Sequence, residues 1–276
     1  MFKNVIQSIL GAARRLFGNW RMLLVFFLLY AALLATIYWF IATREGNVSQ
    51  LLLTLILALL APVLFFIIQT MAVSYPSSDA RTSKWVRLSL RDFWKLALMT
   101  VPIILLAWLI IYLLGKLEPE APAAARDAVR AALPASRSAA RASAQPIQWR
   151  EVTLAAARYL LLGVVLPLTA VHLWIGVARD GLGQALKGIG RSLIRAFRPS
   201  SVLIYAIGAL VFGVIPWLLV VSRTSSKSPW FEVALLGIRL VAAGTLLLFG
   251  WLVTIGALRL NSLGESAPDS SPVRTP

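Results

Sequence analysis

One histidine, eleven acidic residues and no cysteine make a thin inventory for catalysis. Without cysteine there is no disulfide, no thiolate nucleophile and no sulfur metal ligand. His172 has no close acidic neighbour in the chain, and a lone imidazole does not assemble a zinc site. The acids are Glu45, Asp79, Asp92, Glu118, Glu120, Asp127, Glu151, Asp180, Glu232, Glu265 and Asp269. They form no pair within an apolar stretch, as acid–base or metal-assisted chemistry would need. Gly181-Leu182-Gly183 and Gly188-Ile189-Gly190 complete no phosphate-binding fingerprint and follow no strand, and no Gly-x-Ser-x-Gly occurs. These residues predict a protein that is not an enzyme and that holds no metal or cofactor.

Binding chemistry is better represented. Arg158, His172, Glu232 and Arg239 interrupt long apolar runs, and an ionisable residue inside a bilayer points to a functional site. Arg158 and His172 are 14 residues apart, and Glu232 and Arg239 seven apart, so each pair shares a helical face. Arg158 and Glu232 lie near the ends of their runs, where long side chains reach the interface. Arg239 is deeper. Two readings of it stand side by side. In one, Arg239 and His172 face a polar cavity that takes an anionic or lipid headgroup. In the other, Arg239 hydrogen-bonds to carbonyls or reaches outward, and His172 is a histidine bonded within the helix packing.

The elements that carry these residues follow from composition. The 276-residue chain is 59% hydrophobic and 14% charged, with a mean hydropathy of +0.80. That excludes both an ordinary water-soluble domain and a disordered chain. Six stretches are long enough to cross a bilayer as helices, at about 22–42, 51–74, 96–114, 152–178, 201–221 and 230–260. The expected fold is all-α: a polytopic membrane bundle over 1–260, arranged as three hairpins. Pro62, Pro102, Pro167 and Pro216 fall inside spans and predict kinks. Gly237, Gly244, Gly250 and Gly256 are expected at helix contacts. Residues 115–150, rich in alanine, proline and arginine, predict a flexible outer loop, and 261–276 a disordered cytoplasmic tail.

The net charge is +16. Sixteen of the 27 cations fall in alternate connections: Lys3, Arg14, Arg15 and Arg21; Arg81, Lys84, Arg87, Arg91 and Lys95; Arg179, Lys187, Arg191, Arg195 and Arg198; Arg259 and Arg274. The positive-inside rule then places both termini in the cytoplasm. Each hairpin has a basic preface. Residues 2–17 set Phe2, Val5, Ile6, Ile9, Ala13, Leu16 and Phe17 on one face, with Arg14 and Arg15 elsewhere. Residues 80–95 align Lys84, Arg87, Arg91 and Lys95, and Ser89 to Asp92 resembles a capping box that starts the third span. Residues 182–197 repeat leucine and isoleucine beside Lys187, Arg191, Arg195 and Arg198, before Pro199 breaks the helix and Ser200 or Ser201 caps the next. Such helices lie in the membrane interface and bind anionic headgroups. Membrane lipids are therefore the expected partner, rather than nucleic acid. A membrane-protein partner or a second copy of the chain also fits.

The segment Gly176 to Phe197 resembles one that precedes the fifth span in bacterial six-span proteins of the glycerophosphodiester phosphodiesterase membrane-domain type. The matching positions are Gly181, Ala185, Leu186 and Ser192. The catalytic barrel of the enzyme that carries such domains has no counterpart here, so the resemblance implies a membrane module and no hydrolase residues. The expected function is a non-enzymatic scaffold or accessory factor on the inner leaflet. The alternative is a transporter or lipid-handling permease with a polar cavity between spans four and six.

Overall fold

The structure is a computed structural model, and it describes residues 1–43, 46–77, 82–117, 149–222 and 229–264. All elements among these residues are helical. In chain order they are α1 (Phe2–Phe17), α2 (Trp20–Ala42), α3 (Val48–Ser74), a 3-10 turn (Tyr75–Ser77), α4 (Thr82–Leu117), α5 (Trp149–Leu160), α6 (Leu166–Asp180), α7 (Leu182–Lys187), α8 (Ile189–Ala196), α9 (Pro199–Ala209), α10 (Ile215–Val221) and α11 (Pro229–Gly264). Six helical stretches are long and apolar enough to cross a membrane: Trp20–Ala42, Val48–Ser74, Lys84–Leu117, Val152–Asp180, Pro199–Val221 and Trp230–Gly264. The expected all-α, six-span class is present.

Local chemistry sets several boundaries. The Asn19 side chain accepts from the Met22 N–H at 3.2 Å and starts α2, and Asn47 caps α3 in the same way through Gln50 at 3.0 Å. Pro167 and Pro216 do more than kink their helices. Each is preceded by a π-helical turn, Leu161–Val165 and Leu210–Val214. In those turns the Leu166 N–H reaches back to the Leu161 carbonyl, and that of Ile215 to Leu210. A proline lacks the N–H of the ordinary ladder and its ring crowds the carbonyl four residues earlier, so a widened turn removes the conflict.

Five expectations need correction. Of the glycines expected at helix contacts, Gly250 and Gly256 have close neighbours, but a Cβ at Gly237 or Gly244 meets nothing within 4 Å among the described residues. Ser89 to Asp92 starts no helix: α4 runs unbroken from Thr82 to Leu117, fusing the basic preface to the third span. No glycine or proline interrupts the chain there, and Ser89 is buried against Ser74 instead of capping. The 182–197 preface is two short helices that meet at Gly188, because successive glycines at 188 and 190 weaken it. Neither Ser200 nor Ser201 caps the fifth span. Pro199 is itself the first helical residue, a position where its missing N–H costs nothing. The sixth span continues past Leu260 to Gly264, with Asn261 and Ser262 buried. The expected loop and tail lie otherwise outside the described residues, apart from Gly115 to Leu117 in α4 and Trp149 and Arg150 in α5.

The chain divides into two compact units. The larger comprises 1–100 and 168–276. Its core sits where the basic prefaces join the spans. Val5, Ala12 and Leu16 of α1, Ile68, Met71 and Val73 of α3, Leu168 and Val171 of α6, and Leu252, Ile255 and Leu258 of α11 are all buried. Away from that end, residues such as Leu51, Leu55, Val233 and Val241 are exposed. Tryptophan indoles bridge the helices: Trp85 donates to Ser74 Oγ at 2.9 Å, Trp174 to Thr100 Oγ1 at 2.8 Å and Trp251 to Gln69 Oε1 at 2.9 Å. In apolar surroundings these bonds join the helices where no hydrophobic force does so. Tyr75 sits at the centre, fully enclosed, and its hydroxyl donates to the Leu252 carbonyl at 3.2 Å. The smaller unit, 101–167, pairs the end of α4 with α5. There Trp108 and Tyr112 stack with centroids 5.9 Å apart, Lys116 lies over the Tyr112 ring, and Arg150 donates to the Leu117 carbonyl at 3.1 Å.

Candidate functional site

The basic end of the larger unit contains two polar cavities, each of about 510 Å³. The first lies between α3, α4, α6 and α11. Thr70 and Ser74 come from the end of α3, and Lys84, Trp85, Ser89, Asp92 and Lys95 from the first four turns of α4. Val177, Ala178 and Gly181 form the wall where α6 ends, and Arg259 of α11 completes it. The fusion of preface and span into one helix is what holds Lys84, Asp92 and Lys95 in line, at one side of α4.

The polar wall of this cavity is internally satisfied at most points. The Ser74 hydroxyl donates to the Thr70 carbonyl at 2.8 Å and accepts from Trp85. Thr70 donates to the Phe66 carbonyl at 2.7 Å. Lys95 and Asp92 pair at 2.6 Å across one helical turn. Arg259 stands apart from this pattern. It is 8% exposed, yet its Nε and Nη1 are buried with no hydrogen-bond partner among the described residues.

The second cavity is formed by α7, α8 and the end of α6. It gathers Arg179, Lys187, Arg191 and Arg195 around a single carboxylate among the described lining residues, Asp180. Asp180 is taken by Arg179 in a bidentate pair, Nε to Oδ1 and Nη2 to Oδ2, both at 2.8 Å. Lys187, Arg191 and Arg195 are left as an excess of positive charge. Arg195 is held below its ordinary arginine pKa, first by burial and then by repulsion from Arg179, Arg191 and Arg198. Gly181 permits the turn between α6 and α7, with φ of +78° that an L side chain rarely adopts. On the same two short helices and the residue that follows them, Leu186, Leu193, Ile194 and Phe197 are exposed, while the small Ala185 and Ala196 face inward. A third cavity, of about 200 Å³, is almost wholly apolar and lies between α1, α9 and α11 near Ile9, Ile204 and Val253.

The predicted binding residues are distributed as follows. Lys84 and Lys95 line the first cavity, and Lys187, Arg191 and Arg195 the second. Arg87 and Arg91 are exposed on α4 and line neither. Arg14 is exposed on α1, and Arg15 donates through Nη1 to the Pro76 carbonyl, which ties α1 to the 3-10 turn. Arg198 is exposed and precedes the first turn of α9. His172 is buried, with Nδ1 2.9 Å from the Leu168 carbonyl one helical turn earlier. Arg239 donates through Nη1 to the Ser222 carbonyl. Neither His172 nor Arg239 lines any of the three cavities. Glu232 is exposed in the first turn of α11, and Arg158 is exposed on α5 of the smaller unit. Among the described residues there is no group of three or more histidine, cysteine or acidic side chains placed to hold a metal.

Sequence reasoning missed Arg259 as a site residue and counted it only as inner charge. Its spacing marks a packed position and nothing more. Its neighbours three, four and seven positions earlier are Gly256, Ile255 and Leu252, all buried, so the cation sits on the packed stripe of its helix. Ser74 and Ser89 carried no signal, because only the docking of α3 on α4 makes them part of a wall.

Comparison with family models, curated proteins and solved structures returned no match. The likeness around Gly176 to Phe197 therefore rests on Gly181, Ala185, Leu186 and Ser192 alone.

Proposed function

We propose that this is a non-enzymatic multi-pass protein of the cytoplasmic membrane, a scaffold or accessory factor whose basic end faces the cytoplasm and contacts anionic lipid. The observation that carries this reading is the α7–α8 pair. It exposes Leu186, Leu193, Ile194 and Phe197 beside a cavity ringed by Lys187, Arg191 and Arg195, in which the Asp180 carboxylate is already engaged by Arg179. An apolar face next to uncompensated cations is the arrangement that seats a helix in an anionic headgroup layer. Each cation near such a surface contributes about 1 kcal/mol.

The test is reconstitution into nanodiscs of phosphatidylcholine, with or without phosphatidylglycerol. Phosphatidylglycerol is expected to raise the Tm of the wild-type protein, and the triple variant Lys187→Gln, Arg191→Gln, Arg195→Gln is expected to lose most of that rise. Equal Tm gains in wild type and triple variant would show that these cations do not contact lipid.

A further inference from the structure

We infer that the cavity closed by Arg259 is a binding site for a phosphate group, separate from the lipid-contact surface of α7 and α8. A guanidinium withdrawn from water is costly unless its donors are met. At Arg259 two donors, Nε and Nη1, are buried and unmet among the described residues, while the Thr70 and Ser74 hydroxyls donate to the Phe66 and Thr70 carbonyls and the Trp85 indole donates to Ser74. The guanidinium is therefore not spent on holding the wall together. Arg259 lines a cavity that also holds Lys84, and the Asp92 carboxylate in the same wall is paired with Lys95. The cavity thus carries an excess of positive charge.

A tetrahedral oxyanion matches this arrangement. The parallel N–H groups of a guanidinium take two of its oxygens, and an ammonium takes a third as a point charge. The volume of about 510 Å³ lies within the range of small-ligand pockets and exceeds what a bare ion needs, which leaves room for the group that bears the phosphate. Leu88, Leu96 and Val177 supply apolar wall beside the charged end. That phosphate belongs either to a lipid headgroup or to a species in solution, and one experiment separates the two.

The full-length protein in dodecyl maltoside is titrated with inorganic phosphate, with chloride matched for ionic strength, and its Tm is followed. In a second arm it is placed in phosphatidylcholine nanodiscs with or without phosphatidic acid. Stabilisation by at least one probe is expected. A response to phosphatidic acid alone assigns the site to a lipid phosphate, and a response to inorganic phosphate in detergent assigns it to a phosphate from solution. Arg259→Gln is expected to weaken apparent affinity at least about tenfold, with part of the affinity kept in Arg259→Lys. In the detergent arm Lys187→Gln, outside this cavity, is expected to leave the inorganic-phosphate response unchanged. In the nanodisc arm the triple variant Lys187→Gln, Arg191→Gln, Arg195→Gln, which removes the α7–α8 contact, is expected to keep a phosphatidic-acid response that a further Arg259→Gln removes, so failure here is distinguishable from failure of the lipid-contact reading. The inference is overturned if neither probe stabilises the wild-type protein, or if Arg259→Gln responds as wild type does. Should Arg259→Gln not fold, the exposed Lys84→Gln decides, and an unchanged response there overturns it equally.

Discussion

At the scale of single residues, Tyr75 and Gly256 form a close join in the larger unit. A Cβ placed on Gly256 meets the Tyr75 hydroxyl and comes within 2.6 Å of its Cζ and 3.1 Å of the Ala12 Cβ. Three elements approach at one point there, so none of them has room to give. Gly256→Ala is expected to destabilise by about 1–3 kcal/mol, as overpacking of a filled core does. Gly244→Ala, with nothing within 4 Å, should be neutral or slightly stabilising. Thermal unfolding of both variants in detergent checks the contrast. Tyr75 also predicts a pH dependence. Burial pushes its phenol well above the ordinary tyrosine range, more strongly than the Arg15 charge draws it down. Because the folded pKa is raised, the stabilisation is complete below the unfolded value of about 10. It is lost as pH rises above that value, since the unfolded chain ionises first. Tyr75→Phe should flatten this alkaline loss in a Tm-against-pH series, while lowering Tm at neutral pH through the missing hydrogen bond to Leu252.

At the scale of elements, the decisive fact is that α4 is one helix of 36 residues. Had the third span begun at Ser89, position 90 would be a first helical residue, where proline is accommodated. In an unbroken helix, proline at 90 removes a ladder bond, and its ring crowds the carbonyl of Val86 four residues back. Leu90→Pro is therefore expected to cost about 3 kcal/mol. Leu90→Ala, at an exposed position, should change little. Thermal unfolding of the two variants in detergent separates the cases, and a well-folded Leu90→Pro protein would restore the two-segment reading. The first helix differs from expectation in a related way. Its stripe of Val5, Ala12 and Leu16 is buried against the rest of the unit, whereas Phe2, Ile6, Leu10 and Phe17 stay exposed. One side of α1 is core and another stays exposed, so it is a packed element of the unit.

At the scale of the whole molecule, charge and packing in the larger unit coincide. The helix ends that gather the basic residues also gather the buried side chains, and both polar cavities open there. The opposite ends of its spans show apolar side chains outward, suited to a hydrocarbon environment. The proposed orientation makes a direct prediction. Because the native chain has no cysteine, single cysteines at Gln184 and at Val48 report topology without background. A membrane-impermeant maleimide applied to intact cells should label Val48→Cys and spare Gln184→Cys until the membrane is opened. The reverse pattern would invert the topology.

Hydropathy alone determined the six spans and the helical class, because a bilayer leaves a long apolar segment no other way to satisfy its backbone. The clustering of lysine and arginine in alternate connections was equally legible, since it depends on order along the chain. Boundaries were less so. Ser89, Pro199 and Asn261 carry the local signals of a cap, a break and a tail, and each is overridden or reassigned by what packs against it. The cavities were not legible at all. Arg239 and His172 interrupt apolar runs conspicuously, yet each has a nearby carbonyl to bond. Arg259 sits inconspicuously at the end of a span and becomes the buried, unmet cation only when α3, α4 and α6 close around it. Whether a charge is solvated, paired or stranded depends on neighbours distant in sequence, and only the tertiary structure supplies them.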